Sequence, residues 1–187
     1  IIFFLGLLNP TVNLYAQETV YKNTLIYSQK DGLSSPNIHK IIQDKYGFIW
    51  IATQDGLNRF DGREFIKYNL GLPASKQLFS ADVRDIVLDE SGNFIWAINN
   101  NGGVNGIDLL TGNTVYSVAY NIDFTQTKWR ICAAGLQNKL FIATSHGLEV
   151  FDCAQKKFIK IPTLQASEFL TKADIRWIDS DPAGNLI

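Results

Sequence analysis

The strongest constraint on this chain is that it repeats itself about every 46 residues. The tetrapeptide DKYG (Asp44–Gly47) returns as DESG (Asp89–Gly92) and DPAG (Asp181–Gly184), with a degenerate copy, GLQN, at Gly135–Asn138. The four starts are spaced 45, 46 and 46 residues apart. Asp at the first and Gly at the fourth position suit a type I turn, and Pro182 takes the favoured second position. The segments that follow also align: FIWIAT, NFIWAIN and KLFIAT put Trp50, Trp96 and Phe141 at one position. The second copy carries one extra residue in its hairpin, as a β-bulge would. A glycine turn comes next (QDGL, NNGG, SHGL), then a run ending at Asp61, Asp108 or Asp152. The segments EFIKYN, TVYSVAY and KFIKIP close the units.

Each unit thus holds four short apolar segments, which in the first copy run over 38–44, 48–53, 57–61 and 64–69. They are rich in β-branched and aromatic residues and bounded by Gly and Asp, which disfavours a helical repeat. Four strands in 40–50 residues is the period of a propeller blade. The expected fold is therefore all-β: a β-propeller fragment of three four-stranded blades and the start of a fourth. The blades fall at about 38–69, 83–120, 129–162 and 175–187. Wedge-shaped blades pack face to face, so the aromatic in mid-strand fills the gap between sheets. Gly56 and Gly147 permit a positive φ in the following turn.

The N-terminus is a different material. IIFFLGLL (Ile1–Leu8) is continuously apolar and is followed by a polar break and the small Ala16. This has the form of the core and cleavage site of an export signal, without the basic leader. The expectation is a signal over 1–16, cleaved after Ala16, and a mature region over 17–187. A buried strand or an anchor is the competing reading, although Asn9 and Pro10 interrupt the run well short of the roughly 20 residues a span needs. With a net charge of −1 and scattered Lys and Arg, the chain lacks the basic stripe of a nucleic-acid binder. Cys132 and Cys153 fall in one unit. They are expected as two small buried side chains, and a bridge between them stays open in an oxidising compartment.

Catalytic chemistry is hard to find. The two histidines, His39 and His146, lie in different units without Cys or carboxylate at ligand spacing, so neither a metal nor a cofactor is expected. His39 is expected as a packed, hydrogen-bonded side chain, and NGGVNG (Asn101–Gly106) has neither P-loop nor dinucleotide spacing. The recurring aspartates sit at turn positions, where they accept backbone N–H bonds. Ligand contacts on a rigid scaffold fall on its loops. The longest are the links 70–82, 121–128 and 163–174, so Phe79, Phe124 and Phe169, with His146 in a nearby turn, are the candidate ligand-binding residues. Local loop packing is the competing role for the three rings.

The stretch Gly32–Asn69 closely resembles the two-component regulator propeller repeat, D-x-x-G-x-x-W-x-x-T-x-x-G-L-x-x-x-D. Asp44, Gly47, Trp50, Thr53, Gly56, Leu57 and Asp61 match it in order and spacing. Asp89, Gly92 and Trp96 continue the pattern in the second unit, and Thr144, Gly147 and Asp152 in the third, with Phe141 at the place of the Trp. The second unit departs at Asn99 and Gly103, and the third at Gly135, Asn138 and Phe141. The resemblance implies the sensor region of a hybrid two-component histidine kinase, in the periplasm and attached to an inner-membrane protein. It implies an oligosaccharide ligand, no catalytic role for this region, and no nucleic acid bound by it. The remaining blades and the C-terminal sensor parts of the same chain would be its partners, with a homodimer in the full-length protein. Leu25–Ser28 would complete the final blade. An exported propeller enzyme such as a polysaccharide lyase, and a non-catalytic scaffold propeller, remain the alternatives.

Overall fold

A computed structural model of the chain describes residues 25–89, 91–100, 103–119, 133–136, 138–144, 147–159, 173–175, 178 and 181. These residues form three four-stranded antiparallel sheets. The first contains β1 (Ile38–Gln43), β2 (Ile49–Thr53), β3 (Gly56–Phe60) and β4 (Phe65–Tyr68). The second contains β5 (Val83–Leu88), β6 (Phe94–Asn99), β7 (Gly103–Asp108) and β8 (Asn113–Ala119). The third contains β9 (Ala133–Leu136), β10 (Lys139–Thr144), β11 (Gly147–Asp152) and β12 (Lys157–Ile159). Each sheet is a meander in sequence order, and β1, β5 and β9 lie side by side along one edge of the array. The chain is a partial β-propeller with those three strands innermost.

The period-2 alternation of strand side chains explains why the sheets stack. In β6, Ile95 and Ala97 join Trp50, Ala52, Leu57 and Tyr68 in a core between the first and second sheets. Their neighbours Trp96 and Ile98 point the other way, into a core with Leu140, Ile142 and Phe151 of the third sheet. One strand thus serves two cores. Trp50 and Trp96 are 0 % and 2 % exposed, and Phe141 packs at a third core with Ala143, Leu148 and Ile178.

Two local expectations are corrected. The extra residue of the second unit is not a bulge in its hairpin. It lies in the turn, which Asp89 N closes on Phe94 O where Asp44 N closes on Phe48 O. Both inner strands carry the same register shift, at Ile38/Lys40 and at Val83/Asp85. In the third unit, Gly135 is not the first turn residue. It lies within β9 opposite Leu140, and Leu136 already pairs with Lys139. Asn138, at φ 58, closes this shorter hairpin because Asn tolerates the left-handed region. Residues 25–28 form no strand, and the Tyr27 ring packs edge-on against Phe60 with centroids 4.7 Å apart. Residues 1–16, the expected export signal, and Cys132 lie outside the described residues. Cys153 is a buried free thiol, and burial first, then the charges of Asp89 and Asp152, push its pKa up to about 12.

Candidate ligand site

The repeat residues form a scaffold of turns. Asp44 Oδ1 accepts from the N–H groups of Tyr46 (2.9 Å) and Phe48 (3.0 Å), while Oδ2 accepts from Trp50 Nε1 at 2.7 Å. One carboxylate therefore holds both its turn and the wedge indole. Gly47 closes this turn at φ 89 and Gly92 its counterpart at φ 60, with Asp89 Oδ1 accepting from Asn93 and Phe94. Thr53 Oγ1 donates to Gly56 O and Thr144 Oγ1 to Gly147 O, both at 2.8 Å. Gly56 stands at φ 116, and a Cβ there would come within 2.6 Å of the Tyr68 carbonyl. Asp61, Asp108 and Asp152 cap the β3–β4, β7–β8 and β11–β12 turns by accepting backbone N–H bonds of 2.7–3.0 Å. Such bonds hold the carboxyls of Asp61 and Asp108 below their ordinary value. These aspartates are occupied by the fold.

On the opposite face, the link 70–82 crosses from β4 to β5 with a 3-10 turn at Ala74–Lys76. The Phe79 N–H donates to Asn105 Oδ1 at 3.1 Å, and its ring covers Gly103, where any Cβ would meet Cδ1 at 2.4 Å. Asn58 does the same for the first sheet by accepting from Ser34 N at 3.0 Å. This paired Asn58/Asn105 clamp escapes a reading centred on Asp and Gly, although its place two residues after Gly56 and Gly103 makes it findable. Phe79 also lines a cavity of about 440 Å³, with Leu70, Gln77, Thr114, Val115 and Ser117 around it. Its packing role and its place at a cavity coexist. Phe124, His146 and Phe169 lie outside the described residues.

Beside this link the inner strands carry a row of charges. Lys40 Nζ of β1 meets Asp85 Oδ1 of β5 at 2.6 Å. Arg84 Nη2 meets Asp82 Oδ2 at 2.7 Å, and His39 Nε2 lies 3.4 Å from Asp82 Oδ1. His39 is thus placed against a carboxylate across the sheet junction. The sequence signal for this row is charged residues on strands whose position in the repeat makes them innermost. Among the described residues, no group of three or more His, Cys, Asp or Glu could hold a metal, and no helix is long and apolar enough to cross a membrane.

Comparison with known proteins agrees with this architecture. Residues 32–55 match the two component regulator propeller family. A 59-residue stretch is 42% identical to histidine kinase P4 of Formosa agariphila, covering 30% of this chain and 4% of that protein. Among solved structures, the extracellular domain named for the hybrid two component system BT4673 of B. thetaiotaomicron is similar at TM-score 0.64 and 21% identity. That match covers 86% of this chain and 21% of the other. Apo AztD from Citrobacter koseri is similar at TM-score 0.53 and 18% identity over 73% of this chain and 37% of the other. The chain spans about a fifth of the first of these domains and 4% of the curated relative. Residues 32–55, similar to the two component regulator propeller family, are set in a partial β-propeller.

Proposed function

We propose that this chain is the ligand-sensing part of a hybrid two-component regulator, exported to the periplasm, where it detects an oligosaccharide and controls a histidine kinase across the inner membrane. The observation that carries the reading is the match at 32–55, which falls on β1, β2 and the turns that hold them. The similarity to a histidine kinase and to the extracellular domain of a hybrid two component system supports the same reading. The region itself acts as a binding module. Its recurrent carboxylates are engaged by turns, and a ligand need only change how blades and their neighbours pack to bias a linked kinase. The other blades and the C-terminal parts of the full-length protein would transmit that bias, with dimerisation bringing the kinases together.

The test uses full-length protein in membrane vesicles, with autophosphorylation followed while defined gluco-, xylo-, manno- and galacto-oligosaccharides are added on the sensor side. At least one should change the rate saturably. A rate indifferent to all four refutes the oligosaccharide reading, and a soluble full-length protein without kinase activity refutes the sensor assignment.

A further inference from the structure

The turn face, opposite the link 70–82, has a second cavity of about 430 Å³ between the second and third sheets. Phe94, Trp96 and Tyr116 form its aromatic wall, and Asp89, Asn138 and Lys156 stand at its polar rim. The equivalent junction between the first and second sheets also has a cavity of about 430 Å³, beside Phe48, Arg59 and Leu109, but its lining differs. There Arg59 lies over the rings of Phe48 (4.5 Å) and Trp50 (5.9 Å), and Asp44 takes the indole proton. In the second sheet Gly106 stands opposite Trp96 where Arg59 stands opposite Trp50. A Cβ at Gly106 would come within 2.7 Å of Trp96 Cζ3 and 3.0 Å of Tyr116 Cδ2. The absent side chain lets Tyr116 stack on Trp96 with rings 17° apart.

Three further differences coincide here. The one-residue longer turn pairs Asp89 Oδ2 with Ser91 Oγ instead of the indole, and the buried Trp96 Nε1 has no acceptor among the described residues. Lys156 takes φ 56 at the turn position where the second sheet has Gly112 at φ 63, each N–H closing on the strand-end aspartate at 2.7 Å. Its Nζ lies 3.7 Å from the centre of the Tyr116 ring and is hydrogen-bonded to the Tyr116 hydroxyl. Among the described residues, Asn138 and Lys156 are the two non-glycine residues with positive φ, and both line this cavity. Left-handed lysine is costly where glycine would serve, and residues held so cluster at functional sites.

We propose that this inter-sheet cavity binds one pyranose ring of a neutral sugar, its apolar face on Phe94 and Tyr116 and its hydroxyls bonded by Lys156, Asp89 and Asn138. A half-buried aromatic wall receives the C–H face of a sugar. One ammonium and one carboxylate at the rim leave no net charge to select an ion, and together with the amide they supply donors and acceptors for hydroxyls. The volume falls in the range of small-molecule sites. The site rests on the sensor reading only for the signal that binding would carry.

The experiment labels the full-length protein with 5-fluorotryptophan and assigns Trp96 by Trp96→Phe. Methyl glycosides of glucose, galactose, mannose and xylose are titrated into the high-millimolar range, with sodium glucuronate as the charged comparison. At least one neutral glycoside should shift the Trp96 resonance saturably. Lys156→Gly should weaken that binding about tenfold or more, a difference readable in the dissociation constant, while its melting temperature stays level or rises because glycine suits the turn. No saturable shift with any of the four, or a shift undiminished in Lys156→Gly, overturns the site, and tighter binding of glucuronate overturns its neutral specificity. A kinase that answers a sugar without a change at Trp96 overturns this site and leaves the sensor reading standing. Binding at Trp96 with a silent kinase does the reverse.

Discussion

Trp50→Phe and Trp96→Phe make the same chemical change at equivalent places, and the structure assigns them different costs. Each removes about 40 Å³ of buried ring, which at about 24 cal/mol per Å³ of cavity is roughly 1 kcal/mol. At Trp50 the change also deletes the 2.7 Å bond from Nε1 to the buried carboxylate of Asp44. A hydrogen bond to a charged group adds about 1.5–3 kcal/mol, for a total of about 2.5–4 kcal/mol. At Trp96 no bond is lost, because Nε1 has no partner among the described residues. Removing an unsatisfied buried donor returns about 1–3 kcal/mol, which offsets the cavity and leaves a net change near zero or slightly stabilising. The full-length protein need not unfold in one step, so the assay is native-state hydrogen exchange at the amides of β2 and β6, which reports local opening. Exchange should accelerate strongly around Trp50 and little around Trp96. Equal acceleration at both sites would refute the account of what Asp44 does.

Two other perturbations follow from the turns. Gly56→Ala must move backbone, since its Cβ would meet the Tyr68 carbonyl at 2.6 Å, so it should cost more than about 2 kcal/mol in the local opening read by native-state hydrogen exchange at β3 and β4. Gly62→Ala, at φ 98 with open space around it, should cost only the backbone penalty of about 1–2 kcal/mol, and the reverse order would contradict the packing. Bonds from the backbone and side chain of Thr111 hold Asp108 below the ordinary carboxylate value of 3.8. A group with a depressed folded pKa stabilises fully above its unfolded pKa and stops doing so as pH falls through the folded one. Wild type should therefore exceed Asp108→Asn in melting temperature at neutral pH, and the gap should close below about pH 4. A gap that widens in acid would argue against the cap.

The sequence by itself determined the architecture, because that depends on periodicities local to each unit. Alternating apolar residues make strands, Asp and Gly at fixed offsets make turns, and a bulky ring every 46 residues or so makes a wedge. The expected segments over 48–53 and 64–69 match β2 and β4 to within a residue at most ends. The boundaries of the third hairpin were less legible, since Asn138 closes a two-residue turn that the four-residue template places around Gly135. The turn aspartates look alike in sequence, yet Asp44 holds an indole and Asp89 holds a serine hydroxyl. One inserted residue redirects the carboxylate, and only the tertiary structure shows where it points. The same is true of Lys40 against Asp85 and of Lys156 against Tyr116, pairs 45 and 40 residues apart in the chain. Repetition specifies each sheet, but the side chains that meet between sheets depend on register and on which position has lost its Cβ, and those are fixed only when neighbouring sheets pack.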